Sequence, residues 1–330
     1  MKMTETELSD KELVNALHSK YNLLVSEISK AIVGQDEIIR QLIISILARG
    51  HCLLIGVPGL AKTLIVKTLA EVLDLSFNRI QFTPDLMPSD ITGIEILEQS
   101  YDKSDKFKFV KGPVFANIIL ADEINRTPPK TQSALLEAMQ EHKVTAAGKT
   151  YSLDEPFFVL ATQNPIEQEG TYPLPEAQLD RFMFNLWLDY PSFTEELEII
   201  RKTTSSYEPD LRKVFSKNEI LAFQDLVRRV PVSDEVISYA VRLVSKTRPG
   251  SEDAIPLVKK YINWGAGPRA SQNLILAAKT NCLLEGRFSP GKSDIDKAAL
   301  PVLRHRLIAN FNAEADGMPV TSIISELLRE

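Results

Sequence analysis

A short, largely apolar run that leads through a glycine-containing loop straight into a helix is the feature that most constrains this fold. The run spans residues 51–55, and the loop spans residues 56–63 with the sequence Gly-Val-Pro-Gly-Leu-Ala-Lys-Thr. Over residues 64–73 the apolar side chains recur at the spacing of an amphipathic helix. A strand joined this tightly to a helix is typical of α/β folds, and it leaves backbone N–H groups at the helix N-terminus available to an anion.

Further strands alternate with helices along the first half of the chain. Apolar runs predict strands at residues 79–83, 117–121 and 157–161. A helix is expected to begin after Thr127 as N-cap, with Pro128 in its first turn. This alternation predicts a parallel sheet covered by helices on both faces, with any ligand at the carboxyl ends of the strands.

The chain is predicted to divide near Tyr190 into two domains. Residues 13–46 have a helical pattern that breaks near Gly34, and they belong with the α/β part, residues 1–190. After residue 190 the strand signals fade, which predicts a small all-helical domain over residues 191–330.

Cap residues locate some of the helices in that second domain. Ser216 and Glu219 form a capping-box pair, and Ser233 and Ser293 are further predicted N-caps. The Pro and Gly residues of positions 246–267 predict a long loop.

Composition narrows the class of protein. Of 330 residues, 38 are Lys or Arg and 44 are Asp or Glu, so the net charge of −6 disfavours unselective binding to nucleic acid or anionic membranes. The apolar runs are far shorter than the roughly 20 residues of a membrane helix, and residues 1–20 lack the pattern of a targeting signal. Two cysteines far apart in the sequence suit a reducing, cytoplasmic location. The histidines and cysteines show no spacing typical of a metal cluster.

The glycine loop matches a phosphate-binding pattern with one departure, since Ala61 replaces the glycine that precedes the lysine. Gly56 and Gly59 allow the backbone to fold its N–H groups around a polyphosphate. Lys62 is expected to contact the β- and γ-phosphates, and the hydroxyl of Thr63 is expected to bind Mg²⁺. A strand-to-helix turn that binds nothing is the alternative.

Two other predicted strands also end in polar residues. Asp122 and Glu123 follow the strand at 117–121; Asp122 would hold the hydrated Mg²⁺, and Glu123 would polarise the attacking water. The third strand leads to Asn164, whose amide could reach the γ-phosphate or the water, or could instead form an Asx turn before Pro165.

These strand ends, together with Leu-Pro-Glu-Ala-Gln-Leu-Asp-Arg-Phe at 174–182 and Gly-Pro-Arg-Ala at 267–270, resemble the AAA+ ATPases. The similarity is greatest to the MoxR family and covers nearly the whole chain. The loop with Ala61 is itself a MoxR-like sequence, as is Leu-Ala-Asp-Glu-Ile-Asn-Arg at 120–126. The resemblance implies a P-loop NTPase domain followed by a helical lid.

The resemblance also implies roles for individual residues. Catalysis would fall to Glu123, Lys62, Asn164 as sensor 1, Arg181 as an arginine finger that acts on the neighbouring subunit, and Arg269 as sensor 2. The nucleotide would be bound by Val33, Gly34, Gln35, Gly56, Val57, Pro58, Gly59, Leu60, Ala61, Lys62, Thr63, Leu64 and Asp122, with the first three beside the adenine. The metal would be bound by Thr63 and Asp122. Alternatively, Arg181 pairs with a nearby acid and Arg269 only flanks its helix.

Two segments resemble insertions of this branch of the family. Residues 87–110 resemble the helix-2 insert, and residues 143–153, with a turn predicted at Gly148-Lys149, resemble the pre-sensor-1 hairpin. In relatives these segments face a central pore or a partner; the alternative is that they are idle surface loops.

The resemblance implies an ATPase with ATP and Mg²⁺ as cofactors that forms a ring, a hexamer by analogy, and remodels client proteins such as von Willebrand factor A domain proteins. Other AAA+ functions remain open at this stage: a nucleic-acid motor or loader, which the acidic charge disfavours, and the ATPase subunit of a metal chelatase. A nucleotide switch that does not hydrolyse ATP would not require Glu123, Asn164 and the two arginines together.

Overall fold

A computed structural model describes residues 9–98, 106–146, 148–167 and 169–329. The α-helices are α1 (Asp10–Ala31), α2 (Asp36–Leu47), α3 (Lys62–Val72), α4 (Pro88–Thr92), α5 (Pro129–Glu141), α6 (Glu176–Leu179), α7 (Phe193–Thr203), α8 (Lys217–Arg229), α9 (Asp234–Lys246), α10 (Pro256–Tyr261), α11 (Pro268–Leu284), α12 (Lys292–Leu303), α13 (Phe311–Ala315) and α14 (Val320–Leu327). Among them, no helix is long and apolar enough to span a membrane.

The strands form one central sheet and three short antiparallel pairs. They are β1 (Cys52–Ile55), β2 (Phe77–Gln81), β3 (Gly93–Glu98), β4 (Lys106–Lys111), β5 (Ile118–Asp122), β6 (Lys143–Ala146), β7 (Lys149–Ser152), β8 (Phe158–Gln163), β9 (Phe184–Trp187), β10 (Ile262–Trp264) and β11 (Ile308–Ala309). The sheet has the order β2-β5-β8-β1-β9, and its pairings are all parallel. The predicted α/β fold with a parallel sheet is confirmed.

Successive residues of the central strands supply two separate hydrophobic cores. Leu54 and Leu120 belong to the core on one face of the sheet, whereas Leu53 and Ile119 belong to the core on the other. This is the alternation that pleated strands impose when helices cover both faces. The first of these cores is continuous with the helices after residue 190, so α1 packs against α8 and α11 of the C-terminal part.

Several predicted boundaries need correction. The second sheet strand is Phe77–Gln81 rather than 79–83, because its pairing with β5 begins at Phe77 and ends at Gln81. Pro128, not Thr127, is the N-cap of α5; Thr127 follows a short 3₁₀ turn, and its hydroxyl donates to the carbonyl of Thr83. Extended backbone at Pro128 fits a residue whose φ is fixed near −65°.

The C-terminal part also differs in places from the sequence interpretation. Ser216 with Glu219 and Ser233 cap α8 and α9 as predicted. Ser293, however, lies inside α12, and the carboxylate of Asp294 accepts the backbone N–H of Gly291 at the helix start. The predicted loop at 246–267 is wrong, since it contains α10 and the strand β10, which pairs with β11.

Both predicted insertions form antiparallel hairpins. Residues 87–110 contain α4 and most of the β3–β4 pair, with 99–105 outside the described residues. In the β6–β7 pair Gly148 occupies the turn at φ +75°, but Lys149 is already in β7 rather than in the turn. The aromatic rings of Phe109 and Tyr151 stack with centroids 4.2 Å apart, so the two hairpins contact each other.

Candidate nucleotide-binding site

The loop after β1 contains two residues in the left-handed backbone region. Gly59 has φ +86°, and a Cβ built there would meet nothing within 4 Å. Ala61, at the position where the pattern has glycine, also adopts a left-handed conformation with φ +54°. Holding a non-glycine residue there costs about 1 kcal/mol or more. The rest of the loop therefore enforces a local backbone strain immediately before the helix that carries Lys62.

Lys62 begins α3 and turns its ammonium group back into the loop. Its Nζ donates to the carbonyl of Gly56 at 2.6 Å. Burial lowers the pKa of Lys62, and the carboxylates of Asp122, Glu123 and Glu167 oppose that shift. Among the described residues this half-buried cation has one hydrogen-bond acceptor, a carbonyl, so it is well placed to bind an anion. Thr63 follows Lys62 in α3 and is half-buried, as is Val57, whereas Pro58 is exposed.

The predicted adenine segment and the glycine loop line one cavity of about 250 Å³. From the predicted set the cavity is lined by Val33, Gln35, Gly59, Leu60, Ala61 and Leu64. Gly34 has φ +68° and lies against the side chain of Glu195. The amide of Gln35 donates to the carbonyl of Asp189 at 3.1 Å.

Sequence reasoning missed the opposite wall of this cavity, which comes from beyond residue 190. It is formed by Pro191 and the α7 residues Ile199, Lys202 and Thr203. The available signal was that α7 follows shortly after the edge strand β9. A helix connected in this way lies beside the carboxyl ends of the strands, where the ligand is expected.

The predicted acids converge at the carboxyl ends of β5 and β8. The hydroxyl of Thr162 donates to Asp122 Oδ1 at 2.6 Å and accepts the backbone N–H of Glu123 at 2.9 Å. Glu123 itself has φ +56°, a second strained non-glycine residue at this edge. Thr162 therefore fixes both acids, a role that the sequence did not single out.

Asp122 and Glu123 each have side-chain partners in this structure. The Arg79 guanidinium donates to Asp122 Oδ2 through Nη2 at 2.5 Å and through Nε at 3.1 Å. Gln81 donates to Glu123 Oε2 at 3.0 Å, and Arg126 lies 3.5 Å from the same oxygen. Arg79 and Gln81 were missed because their contacts depend on the register of β2 against β5.

Asn164 forms the Asx turn that was one of the two alternatives weighed for it. Its Oδ1 accepts the backbone N–H of Ile166 at 3.1 Å, which is the Asx turn. Its Nδ2, buried within a residue that is 6% exposed, has no hydrogen-bond partner among the described residues. A buried amide donor without a partner costs free energy unless a ligand oxygen accepts it, so Asn164 fits a phosphate or water oxygen at this edge.

Arg181 and Arg269 lie together, but not with the other predicted site residues. Arg181 precedes β9, whose first residue pairs with Cys52 at the start of β1, whereas the glycine loop follows the end of β1. The two arginines line a separate cavity at the amino ends of the strands. Four residues of strand, roughly 13 Å at 3.3 Å each, separate that edge from the glycine loop.

Both arginines have partners at this edge. Arg181 donates to the carbonyl of Leu136 at 2.7 Å, and Arg269 donates to Asp180 at 3.0 Å. Asp180 also accepts Nε of the buried Arg306 at 2.7 Å. The alternative weighed for Arg181, an ion pair with a nearby acid, is not seen among the described residues, because Arg181 is bonded to a backbone carbonyl. Arg269 does flank the start of α11, as its alternative had it, and it also pairs with Asp180.

The residues at the carboxyl edge fit ATP and Mg²⁺. The glycine loop has open space at Gly59 and a cavity beside it. Lys62 supplies a cation, and Asn164 supplies an amide donor that has no acceptor among the described residues. Thr63 and Asp122 supply the hard oxygen donors that Mg²⁺ prefers.

Comparisons with known proteins agree with this geometry. Residues 51–184 match the family model described as "ATPase family associated with various cellular activities (AAA)", and residues 256–327 match the AAA lid domain. The chain is 44% identical to "Chaperone MoxR1" of Mycobacterium tuberculosis over 92% of this chain and 80% of that protein. It is 29% identical to "Protein MoxR" of Methylorubrum extorquens over 92% and 91% of the two chains.

A solved structure supports the same fold. The crystal structure of a Cytophaga hutchinsonii protein, described as a candidate ATPase, superposes with a TM-score of 0.90 at 46% identity and covers 96% of both chains.

Proposed function

The chain belongs to the MoxR family of AAA+ ATPases, and we propose that it hydrolyses ATP with Mg²⁺ and couples hydrolysis to the remodelling of a client protein. The observation that carries the proposal is the convergence of Lys62, Asp122, Glu123 and Asn164 at one edge of the sheet, beside a cavity lined by the glycine loop. Among its relatives, MoxR1 is named a chaperone.

The residues divide the chemistry between them. Lys62 and the N–H groups of the loop bind the phosphates. Thr63 and Asp122 would hold Mg²⁺, which would supply positive charge to neutralise the phosphate oxygens. Glu123 orients and polarises the attacking water. Asn164 donates its free Nδ2 hydrogens to the water or to the γ-phosphate. Val33, Gly34 and Gln35 lie beside the adenine.

Arg181 acts on the ATP of the adjacent subunit, and Arg269 accompanies it. Both arginines lie at the amino edge of the sheet, away from the glycine loop of their own chain. A finger supplied from outside a site is worth roughly 10³ to 10⁵ in rate. This arrangement favours a closed ring, a hexamer by analogy, in which each site is completed by a neighbour.

Hydrolysis is tested by single-turnover measurement with the wild-type protein and with Glu123→Gln. We expect ATP binding to be retained and hydrolysis to fall at least 100-fold in the variant, because the water loses its general base. Equal rates in the two proteins would contradict the proposed reaction and would favour a nucleotide switch.

Mixed rings test whether the finger acts across the interface. Arg181→Ala and Glu123→Gln proteins are each expected to be inactive, and their mixture is expected to recover part of the wild-type rate at interfaces where an intact Glu123 meets an intact Arg181. Mixed rings verified by mass that stay inactive would exclude Arg181 as a trans finger.

The client is sought by affinity capture with Glu123→Gln in ATP, because a protein that binds but does not hydrolyse ATP retains its substrate. The matched control is Lys62→Ala, which is expected not to bind ATP. Proteins with a von Willebrand factor A domain that are enriched only by Glu123→Gln would support the proposed partner class.

A further inference from the structure

Arg306 is a buried arginine in the turn that follows α12. Its side chain is 2% exposed, and it makes five hydrogen bonds, as many as a guanidinium has N–H groups. One of these bonds goes to the carbonyl of Val302 at the end of its own helix. The other four go to residues 180–183, which lead into β9 of the central sheet.

Those four bonds of the guanidinium fall on both sides of Arg181. The guanidinium Nε donates to Asp180 Oδ1 at 2.7 Å, and Nη2 donates to the carbonyl of Asp180 at 2.9 Å. Nη2 also donates to the carbonyl of Phe182 at 2.7 Å, and Nη1 donates to the carbonyl of Met183 at 3.3 Å. One side chain therefore holds the backbone just before and just after Arg181.

The same segment joins the helices after residue 190 to the amino edge of the sheet. The carboxylate of Asp180 accepts Nε of Arg306 on one oxygen and Nη1 of Arg269, on α11, on the other at 3.0 Å. At the far end of the segment the N–H of Met183 donates to the carbonyl of His51, directly before β1, at 2.7 Å. The position of residues 180–183 relative to the sheet thus depends on groups that follow α12 and begin α11.

The arrangement requires the shape of arginine. Burial lowers the pKa of Arg306, and the carboxylate of Asp180 opposes that shift. Burying a guanidinium costs free energy that its partners must offset. An apolar side chain would avoid this cost but would leave the carbonyls around Arg181 without donors. What arginine supplies here is a rigid, planar fork that reaches several carbonyls at once, which lysine lacks.

We propose that Arg306 is a positioning residue for hydrolysis, because it fixes the backbone of residues 180–183 and so places Arg181 for the ATP of the adjacent subunit. This inference rests on the proposed function, since Arg306 reaches the reaction only through Arg181. A displacement of about 1 Å can cost roughly 100-fold in rate, so a small shift of this backbone is enough to impair a finger.

Arg306→Lys tests the role of the fork, because it keeps a cation beside Asp180 and loses the planar donor geometry. We expect the hydrolysis rate of the assembled protein at saturating ATP to fall roughly 10- to 100-fold. ATP affinity and assembly are expected to match the wild type, because Arg306 contacts the segment of Arg181 and not the glycine loop. A wild-type rate would overturn the inference.

The matched control is Arg287→Lys. Arg287 makes four hydrogen bonds to the carboxylates of Glu285 and Asp294, within the helices after residue 190. This variant also loses an arginine fork from that part of the chain, but away from residues 180–183, and is expected to keep the wild-type rate. An equal loss of rate in both variants would mean that the effect is not specific to Arg306 and would overturn the inference.

Mixed rings show on which subunit the Arg306→Lys defect acts. An Arg306→Lys subunit keeps its own Glu123, so its mixture with Glu123→Gln protein is expected to recover activity where the second protein supplies a placed Arg181. Its mixture with Arg181→Ala protein is expected to gain nothing, because neither protein supplies a placed finger. If Arg181→Ala and Glu123→Gln recover together, failure of the first mixture or recovery in the second would overturn the inference.

Hydrogen exchange separates this inference from the proposed function, because it reports on the backbone and not on the reaction. We expect the amides of residues 180–183 to exchange faster in Arg306→Lys than in the wild type, and Arg287→Lys to exchange there as the wild type does. Unchanged exchange in Arg306→Lys would overturn the inference. Faster exchange, together with no recovery when Arg181→Ala and Glu123→Gln are mixed, would mean that Arg306 holds the segment and that the trans finger is wrong.

Discussion

Thr162 shows how much of the site depends on one hydroxyl group at the end of β8. The hydroxyl donates to Asp122 and accepts from the backbone of Glu123, which is itself held at φ +56°. We predict that Thr162→Val, which keeps the shape, lowers the unfolding free energy by roughly 1–3 kcal/mol because the half-buried N–H of Glu123 loses its acceptor. Hydrolysis should fall roughly 10- to 100-fold as Glu123 loses its position.

The control for that prediction is Thr162→Ser, which keeps the hydroxyl and should stay close to the wild type in both measurements. Urea unfolding reports the stability and single-turnover hydrolysis reports the rate. A valine variant with the full wild-type rate would show that Thr162 does not position the acids.

Glu195 caps the start of helix α7 and also lies against Gly34 of the predicted adenine segment. Glu195 Oε2 accepts from the backbone N–H of Ser192 at 2.7 Å in the capping box, and a Cβ at Gly34 would lie 2.3 Å from Glu195 Oε1. We predict that Gly34→Ala displaces Glu195, frays the start of α7 and weakens ATP binding, with a stability loss of roughly 1–3 kcal/mol from the lost cap and the positive φ.

Gly148→Ala separates the two causes of that loss. Gly148 has φ +75°, close to the +68° of Gly34, but a Cβ there would meet nothing within 4 Å. Its alanine variant should therefore show only the backbone cost of about 1 kcal/mol and unchanged binding of a fluorescent ATP analogue. Equal loss of ATP binding in both variants would contradict the role of Glu195.

At the scale of the whole molecule, buried histidines make stability depend on pH. His51 accepts the backbone N–H of Val159 at Nδ1 and donates from Nε2 to the carbonyl of Met139, and burial lowers the pKa of His51 to about 4. Burial also holds the pKa of His305 well below its usual value. In the unfolded chain both histidines bind a proton near pH 6.5, whereas in the folded chain they are still neutral at that pH. The free energy of unfolding therefore decreases as the pH falls.

We predict that His51 alone removes about 2 kcal/mol of unfolding free energy between pH 7 and pH 5, with His305 adding to the decline. Urea unfolding across that range measures it. His51→Gln should be less stable at pH 7, because one hydrogen bond is lost, but should show a shallower decline. A wild-type stability that is flat or rises toward pH 5 would contradict the neutral, buried state of His51.

The local part of the site was predictable from the sequence. A strand followed by a glycine loop and a helix, and acids or an amide directly after two other strands, predict one ligand edge, because parallel strands place their carboxyl ends together. The positions of Lys62, Asp122, Glu123 and Asn164 follow from that rule. The predicted cap at Ser293 is wrong because α12 begins earlier, with Gly291 as its N-cap and the carboxylate of Asp294 accepting the N–H of Gly291. The predicted loop at 246–267 is wrong because the segment forms α10 and also β10, which pairs with the distant strand β11.

The sequence alone determined the class of fold, the family and the edge where a nucleotide would bind, since these depend on patterns within a few tens of residues. Only the tertiary structure decided that Arg79 and Thr162 hold Asp122, that α7 closes the cavity, and that Arg181 and Arg269 lie at the opposite edge. Those facts depend on strand register and on packing between residues far apart in the chain, and no local pattern encodes either.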